Sequence, residues 1–401
     1  MGLPSVIVFG INLVPFVIDF VAFYAIYFAI SLSLNLEFGY TGIPNFGKVM
    51  FVAGGAAFGG LLSGFLAIQL TGIGQGKDYI ALSGRIVSSI DQQIAHDPLL
   101  AVELMAFSLV IAAIIGGVLG FLASYPAIRL REDYLGMLLL AMAQFFDVVL
   151  RTYTTYPVSI PDPAYYFSTL GPGVEGVVED VILLGFALCV YVFIEKVVRS
   201  PMGRTLRAVR DNENASAALG KDNVKIRRNI LIVSSAIAAM AGALYSFYVG
   251  SFEYDTWTRF AWTFWPFVIV IIGGAGNNTG VALGTFFFTA VFKGLQQEQQ
   301  LLQKFVPFSP GFVNWVEDLL FAGLLLSILY LRPEGIVREK SSLTLPRKLL
   351  NSIAKAKGSA VTVETPEKKG VFGRLSARIR RGRNNNSQTE GAGPNRSQPA
   401  G

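Results

Sequence analysis

Charge is what this chain has least of. Only 15% of its 401 residues are charged, against about 25% in a typical soluble domain, and a mean hydropathy of +0.51 agrees with that shortage. A single cysteine, Cys189, excludes a disulfide or a cysteine-built metal site within one chain. It stands in an apolar run, where it reads as a small hydrophobe. The lone His96 lies in a polar segment and reads as solvated. The apolar runs hold no paired His/Glu, Ser/Lys or Asp/Asp constellation. No catalytic residue, metal or cofactor is therefore expected, and the chain does not read as an enzyme. The opening stretch MGLPSVIVFGINLVPF has no basic region of the kind a secretion signal carries, so it reads as retained structure.

What is present is long apolar sequence. The sparse charges gather in short loops and in the tail after Leu331, and stretches such as LAVELMAFSLVIAAIIGGVLGFLASY are continuously hydrophobic. Such runs approach the roughly 20 residues that cross a bilayer as a helix, and they lack the period-two alternation of a barrel strand. The expected fold is all-α: a polytopic transmembrane helix bundle with broken helices. About ten spans are expected, near 3–17, 20–36, 46–70, 101–126, 134–151, 179–197, 229–250, 262–275, 280–297 and 313–331. The first two are divided only by Asp19. Residues 1–338 form a transmembrane domain enclosing a loop at 199–228, and 339–401 form a basic tail too poor in apolar residues to fold.

Basic residues orient the bundle. Lys196, Arg199, Arg204, Arg207, Arg210, Lys221, Lys225, Arg227 and Arg228 crowd one loop, and the tail is similarly basic. Placing both in the cytoplasm also puts the turn Arg129–Arg131 there, while 71–100, 152–178 and 298–312 fall outside. The expected location is the cell membrane, multi-pass, with the basic loops and tail cytoplasmic and touching anionic lipid. No nucleic acid partner is expected.

GIPNFGKV, residues 42–49, imitates a phosphate-binding P-loop. A working one needs a preceding strand and a Ser or Thr after the Lys; here an apolar span precedes it, Pro44 interrupts it and Val49 holds the eighth position. The match is a decoy. Its glycines still break a helix, and irregular backbone at membrane depth survives only inside protein or around a water-filled cavity. A second break, IIGGAGNNTG, occupies 271–280. Paired interruptions of this sort point to a substrate pathway in transporters, here through Gly39, Tyr40, Thr41, Gly42, Asn45 and Gly47 and through Gly273, Gly274, Gly276 and Asn278. The alternatives are an ordinary turn below the membrane for the first and glycine-mediated helix packing for the second. Glu37, Lys48, Glu103, Asp147 and Lys293 are the ionisable residues within spans, and each reads more readily as interfacial than as a substrate contact.

The most specific stretch is SPMGRTLRAVRDNENASAALGKDNVKIRRN, residues 200–229. Pro201 suits the start of a helix and Gly220 its C-terminal stop. A docking helix over 203–219 is expected, with Arg204, Arg207 and Arg210 as a basic stripe. Leu206, Val209 and Ala217 can face apolar surroundings, and small residues from Ala215 to Ala218 permit close approach. A loop that serves only to set topology has no need of such features.

Here the chain resembles a family. Glu213-Asn-Ala-Ser-Ala-Ala-Leu-Gly220 looks like the inner loop of ABC-transporter permeases, and GRTLRAVRDNENASAALG resembles that of branched-chain amino acid permeases of the M-type subunit. LSLNLEFGYTG, YPAIRLREDYLGMLLLA, GGAGNNTGVALGT and LLLSILYLRPEGIV follow the same family in order. The chain departs from it in having Lys48 where the family commonly has His, Ser216 where a second Ala often stands, and a longer 71–100 segment. The resemblance implies a permease subunit importing branched-chain amino acids by alternating access. Its partners would be a second related permease, two ABC ATPase subunits and an extracytoplasmic substrate-binding protein. The ATPase-coupling residues would be Arg204, Arg207, Arg210, Glu213, Ala215, Ser216, Ala218 and Gly220. The same architecture serving urea, an amide, another amino acid or a sugar stays open, as does an ion-coupled secondary transporter.

Overall fold

The computed structural model describes residues 7–8, 11–127, 132–153, 157–171, 173–305 and 335–339, with a few isolated positions between 319 and 330. Two short strands, β1 (Ile7–Val8) and β2 (Ile11–Asn12), pair antiparallel and lead into α1 (Leu13–Leu34), which continues as one π turn, Asn35–Gly39. The separate helices expected at 3–17 and 20–36 are therefore not formed. α1 runs straight through Asp19, whose carboxylate accepts from Tyr248 Oη (2.9 Å) and pairs with Lys293 Nζ (2.8 Å). A charge with two partners does not have to end a helix.

After the turn at 40–47 come α2 (Lys48–Gly55), a π turn (Ala56–Gly60) and α3 (Leu61–Thr71), which together form one continuous span. The next elements are α4 (Tyr79–Ile94), α5 (Pro98–Ala127), α6 (Glu132–Tyr153), the strand β3 (Val158–Ser159) and a 3-10 segment (Pro163–Leu170). Then follow α7 (Val174–Arg199), α8 (Pro201–Asp211), α9 (Glu213–Ala218) and α10 (Asn223–Val249). β4 (Ser251–Phe252) pairs with β3, and α11 (Trp265–Gly273) and α12 (Asn278–Phe305) complete the described helices.

Among the described residues six helices are long and apolar enough to cross a membrane, or seven when the α11–α12 pair, bent by 118°, counts as one broken span. The count of about ten is thus not reached. The first two expected spans are one helix, the pair at 262–275 and 280–297 is the bent one, and the span at 313–331 lies almost wholly outside the described residues. The helical bundle itself is as expected.

α1, α2 and α10 form the centre, whereas a third or less of the most apolar stretch of α5, α6 and α7 is buried. A helix apolar on all sides needs a buried or lipid environment. Small residues bring the central helices together: a side chain on Gly55 would strike the Ala239 carbonyl oxygen, and one on Gly242 that of Val52. Small-residue contacts of this kind are how membrane helices pack where water supplies no drive.

The segment 72–97, expected as an outer loop, holds α4, which buries Ile86, Val87, Ile90 and Ile94 over α3 and β3. Beside it Asp162 caps the 3-10 segment through Ala164 N–H (2.7 Å), while the Asp162 N–H donates to Asp91 (3.1 Å). Burial, with Glu175 and Asp91 nearby, pushes the Asp162 carboxyl up to about 7; burial pushes Asp91 to about 6. Raised carboxyl values mean that the folded state binds more protons than the unfolded chain above about pH 4, so stability falls as pH rises from about 4 to 7. This end of the bundle is expected to resist proteolysis better at pH 5 than at pH 8. Asp162→Asn, which keeps the cap acceptor, should flatten most of that difference in a limited-proteolysis series.

Candidate functional site

α8 begins where Ser200 Oγ accepts from the Met202 N–H (3.1 Å) and Pro201 takes the first helical position, as the sequence implies. The single helix expected over 203–219 is instead two helices. Asn212 takes extended backbone and its side chain accepts from the Ala215 N–H (3.0 Å), ending α8 and capping α9. An Asn satisfying a helix-start donor is preferred at a cap over a helix interior. Gly220 ends α9 at φ +77°, as expected of a C-terminal stop.

The residues expected to couple this loop to an ATPase divide into two groups. Arg204, Ala215, Ala218 and Gly220 are exposed, and Arg207 is half-buried. Glu213 pairs with Arg227 (3.2 Å), and Ser216 is buried and donates to Asn223 Oδ1 (2.9 Å), so both hold α9 against the start of α10. Leu206 and Val209 are buried, whereas Ala217 is exposed. Leu219, which sequence reasoning did not single out, is 80% exposed at the tip of α9. An apolar residue between a small-residue run and a helix-stop glycine was the available signal.

Arg210 faces inward. Its guanidinium donates to the Gly39 carbonyl (2.5 Å) and to both oxygens of Glu339 (3.2 and 3.0 Å). The two chain breaks meet at this point. Gly39 and Gly276 lie so close that a side chain on Gly39 would strike the Gly276 nitrogen. Asn35 accepts from the Gly276 N–H (2.9 Å) and donates to Asn278 (3.0 Å), which in turn donates to Glu195 on α7 (2.7 Å). Gly274 and Gly276 take positive φ, and residues 335–339 lie along the second break through Ile336 N–H to Ile272 O (2.8 Å) and Asn277 to Arg338 O (3.0 Å). The structure therefore brings Gly39 together with Gly273, Gly274, Gly276 and Asn278, 234 to 239 residues away in sequence, with Tyr40 buried alongside.

From this junction residues 42–47 climb into the bundle. Thr41 Oγ1 donates to Leu36 O (2.9 Å), and Asn45 accepts from the Gly47 N–H (3.1 Å) while donating to Glu37 Oε2 (3.0 Å). Lys48 ends the climb near the midpoint of α10, where its ammonium donates to Ser234 (2.7 Å) and pairs with Glu37 (3.1 Å); both charged side chains are 0% exposed. Ser234 in turn donates to Ser33 O (2.7 Å). For Glu37 and Lys48 the interfacial reading is overturned: they are a buried pair tying the π turn after α1 and the start of α2 to α10. Snorkelling needs a path to water, and none is open here. Of the other ionisable candidates, Glu103 is exposed, Asp147 pairs with Arg151 (3.1 Å) and Lys293 with Asp19. None of the ten candidate pathway residues lines the cavity of about 340 Å³ that opens between α2 and α6.

Broken helices meeting inside a membrane bundle are a feature of transporters. Residues 16–329 match the family model described as the permease component of branched-chain amino acid transport systems. The chain belongs to that family. It is 39% identical, over 81% of its own length and 94% of the relative's, to a probable branched-chain amino acid transport permease protein LivM of Methanocaldococcus jannaschii. It is 26% identical to the high-affinity system permease proteins LivM of Salmonella typhimurium and Escherichia coli, over about 60% of each relative. No solved structure matches. The P-loop look-alike at 42–49 joins two helices long and apolar enough to cross a membrane and follows a helix, not a strand.

Proposed function

We propose that this permease subunit imports branched-chain amino acids by alternating access, driven by ATP hydrolysis on separate chains. Its partners are a second related permease, two ABC ATPase subunits and an extracytoplasmic binding protein. The α8–α9 loop and the basic tail lie in the cytoplasm, and α4 with the β3–β4 pair lies outside. The observation that carries the reading is the exposed tip of α9, Leu219 with Ala215 and Ala218, connected through α8 and Arg210 to both broken segments. A groove on an ATPase can grip that tip, and a shift of α8 must then be felt at Gly39 and Gly276. A change of state needs such a differential contact.

In proteoliposomes containing all five kinds of subunit, leucine uptake should require ATP. Leu219→Asp should remove uptake and ATPase co-purification together while the permease pair remains monodisperse. ATPase association unchanged by Leu219→Asp would refute the docking assignment.

A second reading, an ion-coupled carrier acting alone, draws on one observation: Glu37 is a fully buried carboxylate whose Oε1 has no partner among the described residues. Uptake by the chain reconstituted alone, driven by a proton or sodium gradient, would favour it. The Lys48 pairing argues against it, because a carboxylate already neutralised by a buried ammonium is a poor ion carrier.

A further inference from the structure

The start of α2, the second half of α6 and the stretch Trp257–Arg259 before α11 line an open cavity of about 340 Å³, within the range of about 300–1,000 Å³ common to small-ligand sites; Arg259 lies exposed at its rim. Its apolar wall includes Val49, Met50, Ala53 and the buried Trp257. The Val49 N–H donates to Thr263 (3.0 Å), which fixes that wall against the helix leading to α11. Three charged side chains line the same space: Asp147, Arg151 and Arg259. Arg151 is already engaged, donating to Asp147 Oδ2 (3.1 Å) with its guanidinium 5.2 Å from the centre of the Tyr254 ring. Gln144 donates to the same Asp147 oxygen (3.2 Å). Both contacts fall on Oδ2 and orient the carboxylate. Among the described residues Arg259 has no ion pair.

The ordinary account is an i,i+4 surface pair on α6 beside an unrelated arginine, worth little to stability. It does not use the fact that an exposed guanidinium with no ion pair among the described residues and an oriented carboxylate line one cavity with an apolar wall. Together they match one chemistry. A guanidinium binds a carboxylate in a planar fork, a carboxylate accepts from an ammonium, and the apolar wall suits an aliphatic side chain.

We infer that this cavity is a binding site for a zwitterionic aliphatic α-amino acid, in which Arg259 holds the carboxylate, Asp147 the ammonium, and Val49, Met50, Ala53 and Trp257 the side chain. Arg151 is a positioning residue that orients Asp147. The inference rests on the proposed import function and names the residues on which the substrate waits. The wall formed by Val49 is continuous with Lys48 and the connecting segment 40–47. Movement of that segment by α8 would reshape the cavity, which is how a loading site becomes a releasing one.

The test uses the complete transporter in proteoliposomes, with Cys189→Ser and Thr258→Cys placing one reactive thiol in the cavity. Leucine should slow labelling of that thiol by an impermeant maleimide about tenfold or more. Isoamylamine, which lacks the carboxylate, and 4-methylpentanoate, which lacks the ammonium, should not. Arg259→Gln and Asp147→Asn should each abolish protection, and Arg259→Lys should restore part of it. A transporter that takes up leucine with ATP but shows no leucine protection, or protection unaffected by Arg259→Gln, overturns the cavity assignment and leaves the import reading standing. A transporter that takes up no branched-chain amino acid yet shows Arg259-dependent protection by leucine sinks the import reading and keeps the binding site.

Discussion

Lys48→Met is expected to cost the folded permease about 3–5 kcal/mol, the range seen when one member of a buried ion pair is removed. The loss comes less from the missing attraction than from what remains: Glu37, fully buried, would keep its carboxylate with neutral hydrogen-bond partners, Asn45 and Ser234, and no counter-charge among the described residues. The same substitution takes the Lys48 ammonium from Ser234, so α10 would lose that bond to the start of α2. The measurement is the midpoint of thermal unfolding in detergent, or the monodisperse fraction in size-exclusion chromatography. The companion Glu37→Leu/Lys48→Met should recover most of the loss, because replacing both partners with apolar groups strands no charge. A single variant as stable as the parent would show that the pair is not desolvated as the structure has it. A double variant as poor as the single would mean that the polar bonds to Asn45 and Ser234, and not the charge, hold the segment.

Arg210→Ala should separate hydrolysis from transport. Arg210 bonds the surface helix α8 to the carbonyl ending the first broken segment, and it holds Glu339 of the segment lying along the second. Losing a charge-assisted bond of this kind is worth about 1.5–3 kcal/mol, so leucine uptake per ATP hydrolysed should fall about tenfold or more. ATP hydrolysis itself should persist, since the tip of α9 is untouched. Glu339→Gln, which keeps an acceptor and leaves the bond to Gly39 in place, should have a much smaller effect. Uptake and hydrolysis falling in parallel would show that Arg210 supports docking or folding; neither changing would remove it from the coupling path.

How much of this was readable in advance depends on how local each feature is. Pro201 and Gly220 mark their helix ends because capping is decided by one or two residues. Asn212 carried a capping signal of the same kind, but it lay inside a stretch whose spacing also suited one helix, and the break went unseen. Asp19 misled in the opposite direction: a charge in an apolar run looked like a boundary, when Tyr248 and Lys293, more than 200 residues away in sequence, make it tolerable within the helix. Both glycine-rich breaks were legible as breaks. Their contact with each other through Gly39 and Gly276 was not, because nothing in either stretch names the other.

The sequence by itself determined the class of molecule. Runs too apolar for water, too continuous for barrel strands and too poor in charge to stay in a loop leave only membrane helices, and the clustered arginines mark the basic loop between two of them. Only the tertiary structure decided that Lys48 and Glu37 are a buried pair, that Arg210 turns inward while Leu219 turns out, and that Asp147 and Arg259 share a cavity. The physical reason is that a charge's meaning lies in its partners, and in a bundle of long helices those partners come from remote parts of the chain, brought close by packing that no short window of residues encodes.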